Sequence, residues 1–324
     1  MRSSPYKNVL WAVVILQCVI LTATAAQRKP SARMAVTFDD LPLQRMETIP
    51  TAEYRRVAAN LLAKLRAARV PAIGFVNEGK LRTNGEIDET KVDLLRQWLD
   101  AGLDLGNHTY SHLDLHAAGI QEYEDDILKG EASLRGLIKA RGRELSYFRH
   151  PYLHTGLSLT VKEEIEDFLS RHGYTVAPVT IDNSEWIFAA AYEKAIARKE
   201  SKMKAQIAAD YLDYMKRMIA YWENQSMGLF GRNIDQILLI HANVLNSDHF
   251  DRLIRMIQER GYQFVPLSAV LKDPAYTSRD TAIQNAGISW IHRWAITQGK
   301  GKDFFEGEPK TPPYIMRYAG IDSE

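Results

Sequence analysis

Residues Ala35–Asp40, with the sequence Ala-Val-Thr-Phe-Asp-Asp, form an apolar run that ends in two adjacent carboxylates. A short run that is rich in β-branched and aromatic residues predicts a buried β-strand. Farther along the chain, His108 and His112 lie four positions apart. One aspartate and two histidines are a common ligand set for a divalent metal that keeps positions open for water and substrate. The remaining aspartate could act as a base on that water, so the sequence outlines a hydrolase active site.

Similar apolar runs alternate with amphipathic stretches from Arg33 to about Leu267. We predict seven strands from these runs, at Met34–Phe38, Val70–Val76, Leu103–Gly106, Tyr147–Arg149, Thr175–Ile181, Ile237–Ile240 and Tyr262–Val265. Between the strands, apolar residues recur at helical spacing, for example at Val57, Leu61, Leu65 and Ala68. Strands that alternate with helices predict an α/β fold with a parallel sheet, either open or closed into a barrel.

Several polar residues lie at, or just after, the C-terminal ends of the predicted strands. They are Asp39, Asp40, His108, Arg149, Asp182 and His241. In a parallel β/α barrel these strand ends share one face, where catalytic residues gather. We therefore expect these side chains to converge in space although they are scattered in the sequence.

Two segments depart from the simple alternation. Residues 187–233 are predicted to form a charged helical insertion, with apolar residues at helical spacing at Met203, Ile207, Tyr211, Tyr214 and Met218. We favour a helix packed on the barrel over a lid that contacts the substrate. The tail, residues 272–324, is predicted to wrap the surface and to contain a short helix at Ser289–Ile296. No linker is evident, so we predict one catalytic domain over residues 27–324.

The first 26 residues have the character of a secretory signal peptide. Arg2 and Lys7 form a basic start, Val9–Leu21 is apolar, and small residues follow up to Ala26. The apolar stretch is short for a membrane span, so we prefer a cleaved signal at residues 1–26 to an N-terminal anchor. We expect a secreted or periplasmic bacterial protein with no stable membrane span. Cys18 is the only cysteine of the chain, so the mature protein would have no disulfide.

The composition is that of a soluble globular protein, with 46% hydrophobic and 25% charged residues among 324. Loss of Arg2 and Lys7 with the signal would lower the 41 basic residues to 39, against 40 acidic residues, a net charge of −1. This balance argues against nucleic acid and anionic lipid as partners. It does not indicate an oligomeric state.

Five short motifs in order resemble those of the polysaccharide deacetylases (carbohydrate esterase family 4, with the NodB homology domain). The motifs are Thr37–Asp40, His108–His112, Arg149–Tyr152, Asp182–Trp186 and Leu238–His241. The resemblance covers roughly residues 33–270. It implies a distorted (β/α)7 barrel, with the helical insertion placed before the last motif.

The resemblance also implies a role for each matched residue. Asp40, His108 and His112 would bind a divalent metal, for which zinc is favoured and cobalt, manganese and iron also fit. Asp39 would be the base and Arg149 its ion-pair partner, while His241 would be the acid, with its pKa raised by Asp182. The Tyr152 backbone N–H would stabilise an oxyanion. Pro151, Trp186 and Leu239 would line the substrate pocket.

The implied activity is hydrolysis of N-acetyl groups on a glycan, with release of acetate. Chitooligosaccharide, peptidoglycan and exopolysaccharide all remain open as substrates. Leu41 and Leu153 stand where the family usually has glycine, and the second acid of the fourth motif is Glu185. Because these departures reshape the groove, two alternatives also remain open. One is an amidase of the same fold acting on a small non-peptide C–N bond, and the other is an inactive glycan-binding protein.

Overall fold

The first strand, β1, forms the middle of a parallel sheet. The computed structural model describes residues 32–324, and β1 runs through Arg33–Leu41 with both faces almost entirely buried. The other strands are β2 (Ile73–Val76), β3 (Arg82–Thr83), β4 (Glu86–Ile87), β5 (Asp104–Asn107), β6 (Tyr147–Phe148), β7 (Thr175–Val176), β8 (Gln236–His241) and β9 (Gln263–Phe264). Strands that are buried on both faces are mostly apolar, which explains why apolar runs in the sequence located them.

Helices cover this sheet. They are α1 (Thr51–Ala68), α2 (Glu89–Asp100), α3 (Ile120–Lys129), α4 (Ala132–Lys139), α5 (Leu159–Arg171), α6 (Glu185–Ala197), α7 (Ser201–Phe230), α8 (Val244–Glu259), α9 (Leu267–Val270), α10 (Trp290–Thr297) and α11 (Pro313–Ala319). Short 3₁₀ turns occupy Met46–Thr48, Glu78–Leu81, Pro151–Leu153, Pro274–Thr277 and Lys302–Phe305.

The main sheet has seven parallel strands in the order β7-β6-β5-β2-β1-β8, and β9 pairs with the start of β1. The two edges of the sheet are joined, because the segment that follows β7 forms hydrogen bonds with β8. The Ile181 N–H donates to the Ile237 carbonyl at 2.9 Å, and the Leu239 N–H donates to the Ile181 carbonyl at 3.2 Å. The prediction of a distorted (β/α)7 barrel is therefore confirmed, and the irregular seam lies between β7 and β8.

The two longest predicted strands are shorter than expected, and proline explains both. The segment predicted at Thr175–Ile181 is a strand only over Thr175–Val176. Pro178 follows, and it has no backbone N–H to donate to a sheet. The segment predicted at Val70–Val76 becomes a strand only at Ile73, beyond Pro71.

The insertion consists of two helices, α6 and α7, and it begins before residue 187. Ile207, Tyr211, Tyr214 and Met218 on α7 are buried, and this helix packs against α6, α8 and α10. The predicted tail helix is α10. Much of the tail does not merely wrap the surface, because Trp294 of α10 and Ile315 of the unpredicted α11 are also buried.

The signal peptide predicted at residues 1–26 lies outside the described residues. Among residues 32–324, no helix combines the length and the apolar character that a membrane crossing requires.

Candidate active site and metal centre

The site lies where β1, β5, β6 and β8 end, on the C-terminal face of the barrel. Asp39 and Asp40 lie near the C-terminal end of β1, and His241 is the last residue of β8. His108 directly follows β5, and Arg149 directly follows β6. The expected convergence of strand ends thus places these side chains on one face.

Asp40, His108 and His112 form a group of ligand atoms suited to one metal ion. The Nε2 atoms of His112 and His108 lie 3.5 and 3.9 Å from Asp40 Oδ1. This oxygen is buried and accepts no hydrogen bond from any residue in the range 32–324. Lys80 Nζ lies 3.5 Å from it, too far for a good hydrogen bond, and the three ligand atoms lie within 4.8 Å of one another, so the residues fit a metal ion.

Both histidines are in the neutral form that binding to a metal requires. His108 Nδ1 lies 2.7 Å from the Arg149 carbonyl oxygen, which assigns the proton to Nδ1 and leaves the Nε2 lone pair facing Asp40. Burial lowers the pKa of His108 and of His112 to about 4, so both are neutral at pH 7. Burial also raises the pKa of Asp40, but Lys80 and the histidines outweigh it and hold this pKa below its ordinary value.

The backbone around this group is strained. Five residues of the site other than glycine have φ between 57° and 66°, namely Asp40, Thr109, His112, Tyr152 and Leu153. The left-handed region costs such residues of the order of 1 kcal/mol each. Strain persists only where surrounding contacts impose it, and its clustering here is typical of a functional site.

Asp39 is buried and paired with Arg149. The Arg149 Nη1 lies 3.3 Å from both Asp39 carboxylate oxygens, and its Nη2 donates to Thr37 Oγ1 at 3.1 Å. Its Nε donates to the Ala177 carbonyl at 2.7 Å, so the whole guanidinium is held in one orientation. Burial raises the pKa of Asp39, and Arg149 opposes that rise without cancelling it. A carboxylate with a raised pKa is better suited to act as a base near neutral pH.

The partner of His241 is Glu185, and the prediction that Asp182 raises its pKa is wrong. His241 Nδ1 lies 2.9 Å from Glu185 Oε2, and Glu185 is fully buried in the first turn of α6. Burial alone would lower the pKa of His241, but Glu185 and the nearby carboxylates raise it above the ordinary value. Asp182 instead accepts a hydrogen bond from the Asn183 N–H at 2.8 Å, and burial raises its pKa to about 7.

Two amides that the sequence reasoning missed hold Glu185 in place. Asn243 Nδ2 and Asn246 Nδ2 donate to Glu185 Oε1 at 2.5 and 2.8 Å. Asn246 also accepts from the Tyr211 hydroxyl on α7 at 2.7 Å. The insertion therefore supplies both the acid that contacts His241 and a side chain that fixes its surroundings.

The third motif forms a tight turn beside the metal group. Pro151 is buried at its start, and the Tyr152 ring, 55% exposed, packs edge-on against His112 with ring centroids 4.4 Å apart. The Tyr152 N–H has no acceptor among residues 32–324. Leu239 is buried in β8 and Trp186 is half-buried at the start of α6. Their place in the substrate pocket stays a prediction.

A second group with metal-binding atoms lies nearby, at Asp114, His116 and His154. The two imidazoles stack in parallel, with centroids 3.7 Å apart and planes 6° apart. Their in-plane lone pairs do not converge on one point, and His116 Nε2 already accepts from the Gly156 N–H at 3.2 Å. This group therefore fits a hydrogen-bonded support of the third motif better than it fits a metal.

We expect Glu185→Gln to lower kcat about tenfold, less than the 10²–10⁴ that an acid itself contributes. Loss of the carboxylate charge lowers the pKa of His241, so the protonated form is lost at lower pH. The alkaline limb of the kcat profile should therefore move to lower pH. Asp182→Asn is the control, because Asp182 does not contact His241. A shift in Asp182→Asn and none in Glu185→Gln would contradict the assigned pair.

Comparisons with known proteins agree with these motifs. The family model for polysaccharide deacetylase matches residues 26–177. The peptidoglycan-N-acetylglucosamine deacetylase of Bacillus cereus is 26% identical over 155 residues, which are 48% of this chain and 46% of that protein. The chain thus matches less than half the length of this relative.

Two solved structures are also similar. The peptidoglycan deacetylase PdaC of Bacillus subtilis is 20% identical, with 74% of this chain and 90% of that chain covered and a TM-score of 0.46. A family 4 pseudoenzyme from Bacillus anthracis is 14% identical, with 75% and 66% covered and a TM-score of 0.44. Over residues 26–177, which contain the first three motifs, the chain resembles the polysaccharide deacetylase family, and this match supports membership of that family.

Proposed function

We propose that this chain is a metal-dependent deacetylase that hydrolyses N-acetyl groups of a glycan and releases acetate. One observation carries the proposal. A buried base-type carboxylate, Asp39, and a histidine with a raised pKa, His241, lie on neighbouring strands beside a group of three metal-ligand residues on one face of the barrel. A protein that only bound glycan would have no use for this pairing.

Asp40, His108 and His112 would hold the metal, with zinc favoured and cobalt, manganese and iron also compatible with these donors. When bound, the metal would polarise the acetyl carbonyl and lower the pKa of water. The site residues would carry out the proton transfers around it. Asp39, oriented by Arg149, would accept the proton of the attacking water as its oxygen bonds to the carbonyl carbon.

The remaining steps also fall to residues of this chain. The free Tyr152 N–H would donate to the oxyanion that develops on the carbonyl oxygen. His241 would then give its proton to the departing nitrogen as the C–N bond breaks, with Glu185 stabilising the charged imidazole. The products are acetate and a free amine on the sugar. With a signal peptide at residues 1–26, the substrate would be a glycan outside the cytoplasm.

The test is acetate release from chitooligosaccharides by the purified chain, before and after a chelator and after zinc is restored. We expect release that the chelator abolishes and zinc restores. Release from small N-acyl amides but not from glycans would support an amidase instead. A protein that binds metal and glycan but releases no acetate from either class would contradict the proposal and support a binding protein.

A further inference from the structure

The C-terminal tail passes close to the third-motif turn at Gly287. A Cβ atom added there would lie 1.7 Å from the Tyr152 carbonyl oxygen and 3.0 Å from Leu153 Cβ. Real Cβ atoms are not found that close to a carbonyl oxygen, so any larger residue would force the turn or the tail to shift. Gly287 lies well beyond residues 26–177, the part of the chain that the family model matches.

This turn needs external support. Tyr152 and Leu153 are consecutive residues in the left-handed region, each with φ near 57°. Two such residues in a row are unfavourable by roughly 2 kcal/mol for a chain without glycine there. The same conformation leaves the Tyr152 N–H free while the Leu153 and His154 N–H groups bond to the His150 and Pro151 carbonyls at 3.1 Å.

Ion pairs and hydrogen bonds hold the tail segment that carries Gly287 in place. At its base, the buried Arg293 donates to Asp280 at 2.7 Å and to the Ala282 carbonyl at 2.9 Å. Lys162 of α5 lies 3.2 Å from the same Asp280 carboxylate. We name residues 280–293 the tail loop. Because a buried ion pair joins the two ends of the loop, its middle part, which carries Gly287, is held in a defined position.

The tail loop is also fixed to the seam of the barrel. The Ser289 hydroxyl donates to the Thr180 carbonyl at 2.9 Å, and the Trp290 N–H donates to the Val179 carbonyl at 2.7 Å. The close approach at Gly287 therefore connects the third-motif turn, through the tail loop, to the seam of the barrel.

We propose that the tail loop is a positioning element for catalysis, and that Gly287 sets the direction of the Tyr152 N–H. The proposal rests on the proposed deacetylase function, in which that N–H stabilises the oxyanion. A shift of the turn by about 1 Å would misdirect the donor while leaving all three metal-ligand side chains present. Gly287 is thus a positioning residue and not a catalytic one.

The experiment compares Gly287→Ala with Gly301→Ala. Gly301 is a matched control in the same tail, because a Cβ there meets only the Asp303 side chain, at 3.5 Å. We expect kcat of Gly287→Ala to fall about 10²-fold, with KM and the metal dissociation constant changed less than about threefold. Gly301→Ala should keep wild-type values. A folded Gly287→Ala protein with wild-type kcat would overturn the proposal.

Amide hydrogen exchange provides a readout that needs no activity. In Gly287→Ala, exchange of the Leu153 and His154 amides should accelerate, whereas Gly301→Ala should leave it unchanged. If Gly287→Ala does not fold, Ser289→Ala takes its place, since it removes an anchor of the tail loop without steric conflict. Unchanged exchange and unchanged kcat in that variant would also overturn the proposal. A wild-type chain without activity would refute the deacetylase function, and exchange would still decide whether the tail fixes the turn.

Discussion

Replacing His108 with alanine is expected to abolish metal binding and all metal-dependent activity. The Nε2 atom of His108 is one of three donors in the group, and its ring is already held by the bond from Nδ1 to the Arg149 carbonyl. Removal of an oriented donor leaves only Asp40 and His112, which is too few protein ligands for a zinc-type site. Bound metal should fall from one equivalent to none when measured by elemental analysis after dialysis.

His116→Ala is the matched control for this variant. His116 belongs to the second group of potential ligands, whose stacked rings do not converge on one ion. We expect His116→Ala to keep one equivalent of metal. Loss of metal in His116→Ala, together with retention in His108→Ala, would mean that the metal occupies the second group and that the assigned centre is wrong.

The barrel and the strand-end residues could be predicted because their signals are local. A strand that is buried on both faces is an uninterrupted apolar run. The polar and ionisable residues at the C-terminal ends of parallel strands lie on one face of the barrel. The strand lengths were less predictable. Pro178 ends β7 early, and the pairing of Ile181 with Leu238 that closes the barrel depends on contacts distant in sequence.

The choice between Asp182 and Glu185 shows where sequence reasoning stops. Both acids lie in one motif, and only the turn that begins α6 decides which of them points to His241. Asn243 and Asn246 were missed for a similar reason, because asparagines after a strand usually indicate no more than a helix cap. Asn243 is indeed the cap of α8, and its amide bonds to Glu185 in addition. Lys80, 3.5 Å from Asp40 Oδ1, gave no signal in the sequence at all.

Asp39→Asn is expected to keep the metal and to lower kcat by about 10²–10⁴, the usual contribution of a general base. The amide has nearly the shape of the carboxylate and should stay beside Arg149, but it cannot accept the proton of the attacking water. Since Asp39 is not among the three metal-ligand residues, one equivalent of metal should remain bound. Asp125→Asn, at an exposed position of α3, is the control and should leave both quantities unchanged.

The pH profile separates loss of a base from general damage to the site. Burial raises the pKa of Asp39, with Arg149 opposing, and a base acts only when ionised. Activity of the wild-type chain should therefore be present above this raised pKa and decline as the pH falls through it. In Asp39→Asn that acidic limb should disappear from the residual activity, because the group that titrates has been removed. Wild-type kcat with an unchanged acidic limb would show that the proton goes to another group, and Asp182, whose pKa burial raises to about 7, would be the next residue to replace.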